Sequence, residues 1–299
     1  MSRLERIVAS VGGVVFDGGR RALIPGPGHS AHDRSVSLLI GEDGRLIVHC
    51  FSPGDDWRTV RAALKARGLL DDAPVGAEET QWAARRAGSR KAGIVVQPTQ
   101  EERVARARRL WSESRPVAGT LAERYLRLRG ISRDITSSDA LRLHPRMTSL
   151  DDRVRRPALV AALPDPGGVV HGVEVTLLSA HGSARAPVAT PRRVIGNLIG
   201  GAVQLDAVGE VLLVAEGVAT ALSASQVFGL PAWALLTAYN LASFVPPALV
   251  RRLVIAADRD AAGLKAASAL SERVDPSVDV EIAPPPAGFG DWNDFIRAG

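Results

Sequence analysis

The chain has 299 residues, of which 46% are apolar, 4% aromatic and 23% charged. These values describe a globular chain filled by Ala, Val and Leu, and they exclude collagenous, disulfide-stapled and disordered classes. The net charge of +5 is unevenly spread: residues 1–84 carry −1, 85–160 carry +10, 161–200 carry +1 and 201–299 carry −5. A basic middle beside an acidic end suits a polyanion-binding surface next to a carboxylate-rich site. The bland alternative is a solvated Arg-rich helix, since the chain holds 34 arginines and only Lys65, Lys91 and Lys265 as lysines. No apolar run reaches the roughly 18 residues of a membrane span, so neither an anchor nor a signal peptide is expected. The single cysteine, Cys50, fits a reducing, cytoplasmic compartment.

Residues 34–50 read as a hairpin, RSVSLLI and RLIVHCF, around a turn at Glu42, Asp43 and Gly44. After a turn at Ser52, Pro53 and Gly54, Asp55 or Asp56 can cap a helix whose Val60, Ala63 and Leu64 recur at helical spacing until Gly68. Residues 73–100 show weak periodicity and read as a linker, which sets apart a small module over 1–72. A helix is expected from Glu101 through Arg115, and Thr120 can cap a second, LAERYLRLRG, ending at Gly130. Short strand-like pieces follow: ALVAALPD, VVHGVEVTLLSA, RRVIG and GAVQL, with turns at Pro166, Gly167 and Gly168 and at His181 and Gly182. They indicate an antiparallel or mixed sheet, with Arg156, Arg185, Arg192 and Arg193 at or near its turns and strand ends.

The last hundred residues change character. VLLVAEG, AWALLTA, RRLVIAAD and VDVEIAPPP are strands without polar alternation, separated by the helices VATALSASQVFG and AAGLKAASALSERV, and a terminal helix starts at Asp291. This is the pattern of an open, doubly wound α/β domain whose parallel sheet is covered on both faces. The sequence has no G-x-x-x-x-G-K loop, so a P-loop ATPase or helicase motif is excluded.

Ligands of such sheets sit beyond the carboxyl ends of the strands. Glu216 follows VLLVA directly, Asp258 follows LVIAA with Asp260 two residues on, and Asp291 and Asp294 stand at the last helix start. Five converging carboxylates repel one another unless a divalent cation joins them. An all-oxygen donor set suits Mg²⁺ or Mn²⁺, which bridges to substrate phosphates and points to metal-assisted phosphoryl or nucleotidyl transfer. The competing role for Asp260 and Asp294 is as helix N-caps. For Glu216 it is weakest, because a carboxylate that ends a buried strand is costly without a partner.

Glu-Gly after an apolar strand, then VIAADRDAAG, then GDWNDFI resembles the Toprim domain of bacterial primases, topoisomerases and some nucleases. The fuller string, with VLLVAEGVATALSA and GLPAWALLTAYNL, is similar to the Toprim module of phage and plasmid primase-like proteins. The resemblance implies a Rossmann-like, mostly parallel sheet over 206–299, with Glu216, Asp258 and Asp260 catalytic and these three, Asp291 and Asp294 as metal ligands. RRPALVAALPDPGGVVHGVEVTLL, SARA and RRVIG resemble the mixed α+β basic subdomain of a primase core, here 101–205. It implies that Arg156, Arg185, Arg192 and Arg193 meet template or nucleotide, Arg185 standing where lysine is more usual. The 1–72 module resembles a primase zinc-binding module stripped of most ligands. His29, Cys50 and His32 or His49 are its remaining donors, and His49 and Cys50 point to opposite faces of a strand, so no zinc is expected.

The resemblance thus implies an enzyme that makes short primers on single-stranded DNA from nucleoside triphosphates. Unwinding would be left to a separate replicative helicase, and the origin would be a phage, plasmid or other mobile element. A Toprim nuclease and a non-catalytic DNA-binding replication accessory are the alternatives. A topoisomerase needs a nucleophilic tyrosine, and neither Tyr125, expected to pack on an amphipathic helix, nor Tyr239 is placed for strand attack.

Overall fold

The computed structural model describes residues 2–16, 19–30, 33–41, 44–50, 56–70 and 99–299. The expected turn at Glu42 and Asp43, the one at Ser52, Pro53 and Gly54, His32, Asp55 and residues 73–98 of the expected linker lie outside them. Two compact units divide the chain, Met1–Gln97 and Pro98–Gly299.

In the first unit, α1 (Arg3–Val11) opens on a capping box in which Ser2 Oγ accepts from Glu5 N at 3.2 Å and Glu5 Oε2 accepts from Ser2 N at 2.6 Å. An antiparallel sheet follows in the order β1 (Val14–Phe16), β2 (Arg21–Ile24), β3 (Val36–Ile40) and β4 (Leu46–Cys50). Asp56 caps α2 (Trp57–Ala66). Leu4 and Ile7 of α1, Ile24, Val36 and Leu38 of the sheet and Val60 and Leu64 of α2 form the core, with Cys50 packed at its edge.

The second unit begins with α3 (Gln100–Ser112), started by a Thr99–Glu102 capping box, then β5 (Arg115–Pro116) and α4 (Leu121–Leu128), capped by Thr120. Strands β5, β6 (Leu141–Thr148), β7 (Arg155–Pro164), β8 (Val170–Leu177) and β9 (Arg192–Gly196) form one antiparallel sheet in that order. Both of its faces are buried. Ala158, Val160, Val173, Val175 and Leu177 pack with Ala107 and Leu110 of α3, while Leu141, Leu143, Leu159, Ala161 and Leu163 face α4 and the following sheet. The period of two along a strand therefore sends Glu174 and Thr176 to the second face, and places Arg192 there and Arg193 on the first.

Residues from Ala202 onward build the third sheet: β10 (Val203–Gln204), β11 (Val211–Ala215), β12 (Ala232–Ala234), β13 (Arg252–Ala256) and β14 (Asp279–Ile282). Its order is β10-β12-β11-β13-β14, parallel throughout except for the β10 edge. Helix α5 (Val218–Phe228) lies on one face with Leu213 and Ala215 beneath it. Helices α6 (Ala238–Ser243) and α7 (Ala261–Arg273) cover Leu212, Val214, Leu253 and Ile255 on the other. Helix α8 (Trp292–Ala298) closes the chain, with Trp292 in the α5-side core. The fold is thus a mixed α/β chain with a mostly parallel, doubly covered sheet at its carboxyl end, as the apolar strand pattern predicts. After β11 the chain goes to β12 on one side and later returns as β13 on the other, which makes the carboxyl ends of β11 and β13 the switch point.

Candidate active site

Ala215 and Ala256 are paired neighbours at the ends of β11 and β13, so Glu216 and Asp258 leave the sheet side by side. Both line a cleft with Asp291, Glu174, Arg129, Arg185, Arg192 and Tyr125. The Glu216 carbonyl accepts from Leu236 N at 2.7 Å, and Leu236 holds a left-handed φ of 69° to make that contact. A bulky residue in that conformation is strained, and here the strain sits at the backbone of the first acid.

Asp258 is half-buried, and its Oδ1 is buried without a hydrogen-bond partner. Burial, then the charges of Glu216, Asp291 and Asp260, push its carboxyl up to about 8 against the opposing pull of Arg192. Arg259 ties the segment after β13 to the loop before α8: its backbone N donates to Gly290 O at 2.7 Å and its Nε to Pro285 O at 2.9 Å. That link brings Asp291 to the cleft. Asp291 also caps α8, accepting from Asp294 N at 2.7 Å, while Asp294 itself is exposed and is not among the cleft residues. Asp260 is exposed as well and caps α7 through Gly263 N at 2.7 Å, reaching Asp258 through its charge.

Of the four arginines singled out in the sequence, two line the cleft. Arg185 is exposed at its rim, and Arg192 Nε stands 3.3 Å from Glu174 Oε1. Arg156 is instead taken by Asp152, which accepts two bonds from it at 2.8 and 2.5 Å. Arg193 turns toward the α3 side and donates to Thr148 O at 3.0 Å; burial and then the charge of Arg106 lower its pKa.

Glu174, Arg129 and Tyr125 are cleft residues that the sequence reading leaves unassigned to the site. Glu174 is 4% exposed, and burial raises its pKa against Arg192 and Arg185. Its signal is visible afterwards: an acid in a strand with apolar neighbours on both sides. Arg129 follows α4 directly, and its buried Nε has no hydrogen-bond partner. Its guanidinium lies 5.7 Å from the centre of the Tyr125 ring, and Tyr125 is packed in the core as its amphipathic helix predicts.

Two family models match the chain. One, described as a domain of unknown function (DUF7146), matches residues 101–205, and a Toprim domain model matches residues 211–299. Residues 211–299 are a Toprim domain. No curated protein matches the chain. Among solved structures it is similar to the zinc-binding and RNA polymerase domains of Aquifex aeolicus primase, at 16% identity and a TM-score of 0.46, covering 100% of this chain and 80% of that one. It is also similar to the primase fragment of the bacteriophage T7 primase-helicase protein (16%, TM-score 0.39, 91% and 93%) and to the Escherichia coli primase catalytic core (16%, TM-score 0.43, 65% and 73%).

Toprim domains in general bind divalent metal such as Mg²⁺. Among the described residues no three His, Cys, Asp or Glu side chains already form a cage. Mg²⁺ needs none, since it is commonly held by one or two carboxylates and completes its shell with water and phosphate oxygens. The cleft lining has carboxylates and no His or Cys, and the unpartnered Asp258 Oδ1 beside Glu216 fits such an ion. Within β4, His49 is exposed on one face and Cys50 packs toward the core on the other, so these two do not share one ion. His29 instead donates through Nδ1 to Asp33 Oδ2 at 2.8 Å, and that oxygen also accepts from Gly26 N and Ser35 Oγ. Among the described residues no helix is long and apolar enough to cross a membrane.

Proposed function

We propose that the chain is a primase-like nucleotidyltransferase that makes short primers on single-stranded DNA. The observation that carries this reading is one cleft whose Toprim side presents Glu216, Asp258 and Asp291 and whose antiparallel side presents Arg185 and Arg192. A nucleoside triphosphate needs both halves, cations for its phosphates and an acid-lined cation site for the reacting end.

In this reading Glu216 and Asp258 hold Mg²⁺ or Mn²⁺, with Asp291 beside them. The bound ion supplies charge neutralisation at the reacting phosphate. Arg185 and Arg192 bind the phosphate oxygens, and Arg129 extends the same wall. Glu216, at the strand end and flanked by the side-chain-free Gly217, takes the proton of the attacking 3′-hydroxyl at its carboxylate. The basic surface of residues 101–205 holds template phosphates, and single strands come from a separate helicase.

A gel assay with single-stranded DNA, labelled ribonucleotides and Mg²⁺ or Mn²⁺ tests this. Metal-dependent primers are expected from the wild type, reduced at least about 100-fold in Glu216→Ala and Asp258→Ala. Shortened DNA without nucleotide incorporation would identify a nuclease. DNA binding that survives both substitutions, with no metal-dependent product from the wild type, would overturn the enzyme reading.

A further inference from the structure

Glu174 is the buried charge of the cleft whose purpose neither the fold nor the metal site explains. Strand β8 places Glu174, which is 4% exposed, on the same face as the buried Thr176. Burial pushes the Glu174 carboxyl toward its neutral form, and the charges that oppose this and favour the carboxylate are Arg192 and then Arg185. Its cation is Arg192, with Nε 3.3 Å from Glu174 Oε1. The far end of that guanidinium reaches the start of α5: a side-chain carbon at Gly217 would stand 3.7 Å from Arg192 Nη1 and 3.3 Å from Thr220 Oγ1. Arg192 thus lies between Glu174 and the start of α5, and its charge acts on Glu216 and Asp258 as well as on Glu174.

An arginine in that position has two possible resting places. Turned to Glu216 and Asp258 it would neutralise them and occupy the field that a divalent cation needs. Turned to Glu174 it does neither. Seen from Glu216, the Glu174–Arg192 pair is then close to neutral, whereas Arg192 without its partner is a full positive charge against the metal.

We infer that Glu174 is a positioning residue, which holds the Arg192 guanidinium at the side of the cleft and so keeps the Glu216 and Asp258 carboxylates available to a divalent cation. This rests on the reading of Glu216 and Asp258 as the cation site. It adds a residue that touches no metal and acts wholly through Arg192.

The test is Mn²⁺ binding to the full chain, followed by electron paramagnetic resonance at low ionic strength without DNA or nucleotide, with thermal unfolding measured on each variant. Glu174→Gln is expected to weaken Mn²⁺ about five-fold or more, and Arg192→Met to tighten it. The double variant Glu174→Gln/Arg192→Met is expected to bind at least as tightly as the wild type, a rescue that a merely structural role for Glu174 would not produce. Unchanged affinity in Glu174→Gln, or a double variant as weak as that single one, overturns the inference. Should Glu174→Gln fail to fold, Arg192→Met alone decides: tightening supports the inference, and unchanged or weakened binding overturns it. Wild-type Mn²⁺ binding that Asp258→Ala abolishes keeps the cation site intact whatever happens to the inference. Its absence overturns the site, and the role of Glu174 with it.

Discussion

Gly263, in the first turn of α7, shows how closely the backbone at Asp258 is packed. A Cβ there would stand 2.7 Å from the Asp258 carbonyl oxygen and 3.0 Å from Asp258 Cβ. Helix propensity alone favours Gly→Ala by up to about 1 kcal/mol. The contact is with backbone, which cannot swing aside, and overpacking of this kind typically costs about 1–3 kcal/mol. The steric term wins, so Gly263→Ala is expected to lower the melting temperature and weaken Mn²⁺ binding together. A variant more stable than the wild type with unchanged Mn²⁺ affinity would show that the segment yields. At this scale Glu216 and Asp258 are legible in the sequence because each directly follows an apolar strand. Asp291 and Asp294 are both expected as ligands there, since both start one helix, and the Arg259 link to Gly290 and Pro285, which the sequence does not reveal, brings only Asp291 to the cleft. Glu174 and Arg192 escape notice as a pair because their meeting depends on the register of β8 and β9, which is set by side chains far from either.

The almost wholly apolar β11, α5 and β13, and α7 with its start after Asp260, are legible within a residue or two. Short or interrupted ones are not. The sequence reading places no strand at 141–148, where Pro145 sits in a register shift between His144 and Met147, and none at β1 or β2, which span three and four residues. Helix α1 is likewise not expected from the sequence, although Ser2 and Glu5 form its capping box. The expected helix to Arg115 ends at Ser112, because Arg115 joins the sheet as β5. What fastens the elements together is less visible still. After α4, Arg133 Nη1 donates to Asp206 Oδ2 at 3.0 Å and also bonds Ser225, while Asp206 accepts from Ala232 N at 2.9 Å on β12. Both side chains of the pair are nearly four-fifths covered, at 22% and 23% exposure. Arg133→Ala would leave Asp206 partly buried with its cation gone, at a cost of about 2 kcal/mol after allowance for solvent screening. Urea unfolding of Arg133→Ala, Asp206→Ala and the double variant should show a coupling near 1 kcal/mol, and strictly additive losses would dismiss the fastening.

Over the whole molecule the charge asymmetry becomes specific. The described part of the +10 stretch of residues 85–160 and the −5 end belong to one compact unit, but of that stretch's basic residues only Arg129 lines the cleft, while Arg185 and Arg192 come from residues 161–200. Not every arginine is then available to a polyanion. Arg156 is held bidentately by Asp152 and the half-buried Arg193 is bonded to Thr148 O, whereas Arg185 is exposed at the cleft rim. Single-strand affinity falls with salt by a logarithmic slope of about 0.7 per phosphate neutralised. Arg185→Ala should therefore lower that slope by roughly 0.7 in a fluorescence-anisotropy titration of labelled single-stranded DNA between low and moderate salt. Arg156→Ala should leave the slope unchanged, because the guanidinium it removes already has its counter-charge within the protein. Equal slopes for both variants would mean that DNA does not pass the Arg185 rim, and the basic stretch would then bind its polyanion on a surface away from the carboxylates.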